Sequence, residues 1–261
     1  MESIKIGILQ LDIAWQDIEA NQHKIESRLA ALTDIPHLII LPETFTTGFT
    51  TTPHQLRKSL LSAQIDWQIQ LSFQYNCSFM GSVIILDEDV YSNRCLYTSP
   101  DGKVEFYDKR HLFTNEKACG FFEQGTERKI FHYRDLKLMP LICYDLRFPV
   151  WSRNNLGYDV LVYMANWPSA RQIVWETLLR ARAIENQCIV VGVNRVGTDH
   201  NGITYEGGSA IIFPDGSNLL SMGSAEAYAE QEVSLSNLYD FRRRYPFYLD
   251  ADLFEIKNPG N

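Results

Sequence analysis

The chain has 261 residues, 45% hydrophobic and 21% charged, with 24 basic against 32 acidic side chains and a formal net charge of −8. That acidic balance excludes a general nucleic-acid binder, which needs a basic face to neutralise phosphates, and no apolar run approaches the ~18 residues of a membrane span. Cys77, Cys95, Cys119, Cys143 and Cys188 lie far apart without a C-x-x-C pair, and the histidines form no H-E-x-x-H, so neither a disulfide framework nor a metal site is expected. The opening MESIKIGILQ has no basic stretch before a long apolar core, which argues against a signal peptide, and a reducing cytoplasm fits the cysteine usage. No Gly/Ser/Pro-rich linker interrupts the chain, so residues 1–261 are expected to form one domain.

Short β-rich runs alternate with amphipathic stretches. IKIGILQL (4–11) predicts a first strand, and 17–32 a helix with Ile18, Ile25, Leu29 and Leu32 on one face. HLIILPE (37–43) predicts a buried strand ending at Pro42-Glu43. A helix over 64–75 and the strand FMGSVIIL (79–86) follow, then a hairpin, YSNRCLYTSPDGKVEFYDK, about a Pro-Asp-Gly turn. After a loop, FHYRDLKLMPLICYD and YDVLVYMANW (158–167) are strand-like, and 169–187 is helical. CIVVGVNRVG is a strand, EGGSAIIFPDGSNLLSMG a second hairpin at Pro214-Asp215-Gly216, and AYAEQEVSL leads into a last helix, SNLYDFRRRY. The run Arg242-Arg243-Arg244 is expected to be a solvated helix end. Buried parallel-type strands with helices, interrupted by antiparallel hairpins, point to an α/β fold with a mixed sheet or two sheets and helices outside.

Three strands end in a reactive side chain: Glu43 after HLIILP, Lys109 after KVEFYD and Cys143 after LKLMPLI. Strand ends along one sheet edge form the crevice in which α/β folds place ligands. A carboxylate there can take the thiol proton, and a cation favours the thiolate and then an oxyanion. By this reasoning Cys143 is expected to have a low pKa. Singly, each residue has a plainer reading: a strand-end Glu or Lys is usually solvated, and a cysteine after an apolar run is usually core.

The local sequences resemble the nitrilase, or carbon–nitrogen hydrolase, superfamily over essentially the whole chain. LPETFTTGF (41–49), YDKRHLF (107–113) and LICYDLRFP (141–149) look like its glutamate, lysine and cysteine segments, with ANWP (165–168), RARAIENQ (180–187) and NRVG (194–197) following in order. The resemblance implies a four-layer α-β-β-α sandwich that assembles as a homodimer or higher homo-oligomer. It also implies amide hydrolysis through a thioester, without metal or organic cofactor. In that scheme Glu43 is the general base and Cys143 the nucleophile, and Lys109 and the backbone N–H of Tyr144 hold the oxyanion. In the loop FTNEKACGFFEQG, Glu116 resembles a second family glutamate at a spacing slightly longer than the family's, and Glu123 competes with it.

Among the family branches, CYDLRFPVWSRN with ANWP and RARAIENQ looks most like the bacterial ω-amidases, which hydrolyse the terminal amide of 2-oxoglutaramate and 2-oxosuccinamate. The small anionic substrate this implies needs a partner for its carboxylate, and Arg147, Arg171 and Arg195 are the candidates, a guanidinium being able to grip a carboxylate twice. Trp167 is either pocket wall or core. His111 is expected to be structural, Asp145 and Arg147 to brace the turn or meet substrate, and Glu185 and Asn186 to be structural or at a subunit contact. The alternatives are another amidase of the superfamily, acting on deaminated glutathione or an N-carbamoyl compound, and a catalytically silent binding homologue.

Overall fold

The computed structural model describes residues 3–257; Met1, Glu2 and 258–261, which the readings of the N-terminus and of a 1–261 domain include, lie outside them. The chain forms strands β1 (Ser3–Gln10), β2 (Leu38–Ile40), β3 (Ser78–Asp87), β4 (Val90–Thr98), β5 (Val104–Asp108), β6 (Phe131–Tyr133) and β7 (Leu136–Ile142). It continues with β8 (Val160–Ala165), β9 (Ile189–Asn194), β10 (Val196–Thr198), β11 (Thr204–Glu206), β12 (Ala210–Ile212), β13 (Asn218–Ser221) and β14 (Ala227–Ser234). The helices are α1 (Ile18–Ala30), α2 (Lys58–Tyr75), α3 (Thr114–Cys119), α4 (Pro149–Ser152), α5 (Gln172–Asn186) and α6 (Leu235–Arg244). Two six-stranded mixed sheets result, ordered β14-β1-β2-β3-β4-β5 and β13-β12-β9-β8-β7-β6, with β10 and β11 as a separate hairpin.

Alternation along the strands explains the layering. Ile4, Ile6, Ile8, Leu38, Ile40 and Met80 join the second sheet in one core, whereas Leu9, Ile39, Leu41 and Phe79 pack with Ile25 and Leu29 of α1 and Leu71 of α2. Trp175, Leu179 and Ala183 of α5 cover the second sheet, whose central strands are apolar on both faces as parallel strands buried between layers must be. Helix, sheet, sheet and helix are thus the four layers expected. Parallel pairing of β2 with β1 and β3, and of β8 with β7 and β9, brings the ends of β2, β7 and β8 to one side of the facing sheets.

Both Pro-Asp-Gly turns form where expected, with Gly102 and Gly216 at positive φ. The strand predicted over 37–43 is shorter: Leu41 N–H still bonds Met80 O at 2.8 Å, but Pro42 has no N–H and Thr44 turns at φ 42°. Glu43 therefore lies on a tight turn. Gly81 makes room for that turn, since a Cβ there would stand 2.8 Å from Leu41 and Phe45 atoms. FHYRDLKLMPLIC is a hairpin about Arg134, at φ 51°, a turn without the Gly or Pro that would have marked it. The short helix α3 arises inside the segment expected to be a loop.

The basic run departs from expectation at one residue. Arg242 is half-buried and donates to Gln187 O at 2.8 Å, Asp159 Oδ1 at 2.9 Å and Tyr158 O at 2.7 Å, pinning α6 to the chain before β8 and after α5. Arg243 and Arg244 are exposed. Arg242→Ala leaves the Asp159 carboxylate buried without its cation and should cost about 2–4 kcal/mol in urea unfolding, whereas Arg243→Ala should leave the midpoint unmoved; equal effects would contradict this division.

Candidate active site

Glu43 is fully buried on the turn after β2. Its Oε1 accepts Lys109 Nζ at 2.8 Å and Asn93 Nδ2 at 2.9 Å; its Oε2 accepts the Asn166 N–H at 2.9 Å. The Asn166 amide also donates to the Glu43 carbonyl, at 3.0 Å, and to Thr44 Oγ1, at 3.0 Å, so the end of β8 grips the turn that carries the carboxylate. Its oxygens thus find protein donors in place of solvent.

Lys109 follows β5, is 1% exposed, and spans two carboxylates, with Nζ 2.8 Å from Glu43 and 2.8 Å from Glu116. Burial works against its charge, but Glu116 and Glu43 outweigh it and raise the pKa above the usual lysine range. Glu116 projects from α3 and is also 1% exposed; its Oε2 accepts the Phe113 N–H at 2.7 Å. Burial raises its carboxyl pKa, the Glu43 charge adds to this, and Lys109 opposes it. Glu123, the competing candidate, is exposed and lies outside the cluster.

Cys143 follows the last residue of β7 at φ 43°, which kinks the strand into the 3₁₀ turn Cys143–Arg147. Asp145 braces that turn: it accepts Tyr107 OH at 2.8 Å, Ile142 N–H at 3.0 Å and His111 N–H at 2.9 Å, with His111 Nδ1 at 2.7 Å. His111 stacks on Phe148 with ring centroids 3.7 Å apart, and Arg182 donates to Leu146 O at 2.6 Å. The half-buried thiol faces the carboxylates. Burial and then Glu43 push its pKa well up, with Lys109 opposing. This corrects the expectation of a low-pKa cysteine: the resting group is a neutral thiol whose proton has a carboxylate beside it.

Cys143 and Lys109 open onto a cavity of about 550 Å³, mouth included, that Phe49, Phe113, Tyr144 and Tyr205 help to wall. Arg147 and Arg171 both line it, lying 5.0 Å over the Trp167 ring and 5.8 Å over the Phe113 ring, and neither has an ion-pair partner among the described residues. Trp167 is both wall and core, 3% exposed, its Nε1 donating to Arg171 O at 2.8 Å. Arg195 is not among the lining residues, contrary to its candidacy for substrate. Its Nη2 is spent on Asp12 Oδ1 and Ile13 O, each at 3.2 Å, and its guanidinium lies 4.6 Å from the Tyr205 ring, behind the wall. Glu185 pairs with Arg182, and Asn186 accepts the Asn154 N–H, both away from the cavity. Asn93 and Asn166, which hold the carboxylates, were not singled out from the sequence. Asn166 had a signal, a polar residue directly after an apolar strand, whereas Asn93 stands between Ser92 and Arg94 in VYSNRCLYT and had none.

The carbon-nitrogen hydrolase family profile matches residues 5–243, and the chain belongs to that family. It is a hydrolase acting on the carbon–nitrogen bond of amides, in the branch of relatives named omega-amidase. Omega-amidase YafV of Escherichia coli K12 is 40% identical over 259 residues, covering 98% of this chain and 100% of the relative. A 2-oxoglutaramate amidase of Bacillus subtilis is 31% identical over 251 residues, covering 94% of this chain and 96% of the relative. Among solved structures, XC1258 of Xanthomonas campestris, a CN-hydrolase superfamily protein, superposes with a TM-score of 0.92 at 35% identity, covering 98% of this chain and 100% of that one.

The electrostatics carry a sign that can be checked. Glu43→Gln removes a charge that raises the thiol pKa and leaves Lys109 to favour the thiolate, so the pKa should fall. The pH–rate profile of Cys143 alkylation by iodoacetamide, followed by mass spectrometry, should move to lower pH in the variant; an upward or absent shift would contradict the arrangement.

Proposed function

We propose that this amidase hydrolyses the terminal carboxamide of a small 2-oxo acid amide, 2-oxoglutaramate or 2-oxosuccinamate, to ammonia and the dicarboxylate. The observation that carries the reading is one small cavity with a thiol and a buried ammonium on its floor, two carboxylates bonded to that ammonium behind it, and on its wall two guanidinium groups without ion-pair partners among the described residues. Glu43 takes the proton of Cys143 as sulfur attacks the amide carbon. Lys109 and the Tyr144 N–H hold the resulting oxyanion, such donors being worth about 2.7–4 kcal/mol each in other enzymes. A carboxylic acid of the pair returns a proton to nitrogen, the C–N bond breaks, and ammonia leaves a thioester. Water, giving its proton to Glu43, then attacks the acyl carbon; the C–S bond breaks and the thiol is reprotonated. Glu116 orients Lys109 and the amide.

The far carboxylate of such a substrate pairs with Arg147 or Arg171, whose flat guanidinium groups suit bidentate recognition. The names of the Escherichia and Bacillus relatives support the same substrate class. The reading takes the chain as one catalytic domain, free of metal and organic cofactor, acting in the cytoplasm on a small molecule with neither nucleic acid nor membrane as partner. The free cysteines support the compartment. Exposed Val150, Phe247 and Leu249 support a homodimer or higher homo-oligomer.

Ammonia release from 2-oxoglutaramate should exceed that from glutamine, a simple aliphatic amide or an N-carbamoyl amino acid, and should vanish in Cys143→Ala. Arg147→Ala or Arg171→Ala should raise KM for the keto amide about 10–100-fold, the value of a charged hydrogen bond, with little change for the aliphatic amide. Preference for another substrate would move the specificity, and turnover by Cys143→Ala would end the thioester mechanism.

A further inference from the structure

Asn93 points inward from β4 and is 1% exposed. Its carbonyl accepts the backbone N–H of Lys109 at 2.9 Å. Its side-chain Nδ2 donates to Glu43 Oε1 at 2.9 Å and reaches Glu116 Oε1 at 3.3 Å. One residue therefore contacts the base, the second carboxylate and the chain that carries the ammonium. The amide has a defined orientation, because its Oδ1 accepts the Ser82 hydroxyl at 2.9 Å while Ser82 Oγ accepts the Thr44 N–H at 2.9 Å. With the Ser82 oxygen occupied by Thr44, its proton is directed to Asn93. A flipped amide would turn its oxygen onto two carboxylates at a buried position, where like charges are poorly screened.

We propose that Asn93, oriented by Ser82, is a positioning residue that holds the Glu43 and Glu116 carboxylates in one arrangement with Lys109, with Glu43 ready to accept the thiol proton. This rests on the reading of Glu43 as general base. Asn93 is a neutral donor where a second cation would neutralise the base and a hydrophobic side chain would leave both carboxylates short of a partner. Lys109 alone cannot replace it, since its Nζ already spans both carboxylates. The ionisable groups facing the pair are Lys109 from the end of β5 and Cys143 from the end of β7; Tyr205 of β11 interacts with the thiol from across the cavity.

A donor to a carboxylate stabilises the charged form, so removing it raises the carboxylate pKa and the base is lost at higher pH. The test is kcat/KM against pH for ammonia release by wild type, Asn93→Ala, Asn93→Asp, Ser82→Ala and Glu43→Gln. Asn93→Ala should lose about 10–100-fold in kcat near neutrality, as expected for a displaced catalytic group, and its acid limb should move up by about one pH unit. Asn93→Asp, close in shape but unable to donate and adding a third carboxylate when ionised, should lose more. Ser82→Ala should move the limb in the same direction by less. A purely structural role would lower thermal stability and leave the limb in place, and that result in Asn93→Ala, or wild-type activity in Asn93→Asp, overturns the proposal. Should the Asn93 variants fail to fold, an unmoved limb in Ser82→Ala overturns it. Activity retained by Glu43→Gln would remove the base itself, and this inference with it, whereas an inactive Glu43→Gln beside an unmoved limb in Asn93→Ala removes the inference alone.

Discussion

One ammonium buried between two carboxylates governs this site. Removing charged groups from water costs several kcal/mol each even after relaxation, and Lys109, Glu43 and Glu116 are all at most 1% exposed. Their mutual attraction offsets part of that cost, and the Asn93, Asn166 and Phe113 donors satisfy further lone pairs. With both carboxylates ionised the cluster carries one excess negative charge. Burial first, and the Glu43 charge after it, raise the pKa of both Glu116 and the Cys143 thiol, while Lys109 opposes the shift in each. The thiol thus lies beside a carboxylate, in surroundings that disfavour its charged form.

The cluster exists because two sheets face each other. Glu43, Asn93 and Lys109 come from the first sheet and its flanking turns, Cys143 and Asn166 from the strand ends of the second. Asn166 joins them, giving its backbone N–H and its amide to the Glu43 turn. A second tie runs beside it: Ser209 donates to Gln10 Oε1 at 2.7 Å and accepts the Asn194 N–H at 3.0 Å, and Asn194 Oδ1 accepts the Trp167 N–H at 2.8 Å. Between these ties the strands are apolar and close-packed, so movement of one sheet against the other would strain both polar contacts together. The geometry of the charged cluster and the packing of the sheets are in this sense one constraint.

Periodicity was informative where a segment has one buried face or two, as in IKIGILQL, α1 and the β7–β9 run, and the Pro-Asp-Gly turns were legible from the backbone conformations that glycine permits. The Arg134 turn and α3 were not: Arg134 takes a positive φ without being glycine, and α3 is six residues long, closed within the loop by Glu116 accepting the Phe113 N–H. Glu43, Lys109 and Cys143 stood out because a reactive side chain closing an apolar run is conspicuous. Asn93 and Asn166 did not, because a buried asparagine has no meaning until its partners are known. Arg242 looked like its two neighbours in the run and differs in having Asp159 and the carbonyls of Tyr158 and Gln187 within reach.

By itself, the sequence determined the family, the layered class and the three reactive side chains, all properties of residue type and local order. Tertiary structure decided between Glu116 and Glu123, put Arg195 behind the wall and left Arg147 and Arg171 on it. It also reversed the expected direction of the thiol pKa. Each of these depends on which charges stand within a few ångströms and how much water is excluded, and Coulomb interaction and desolvation are functions of distance and burial rather than of position along the chain.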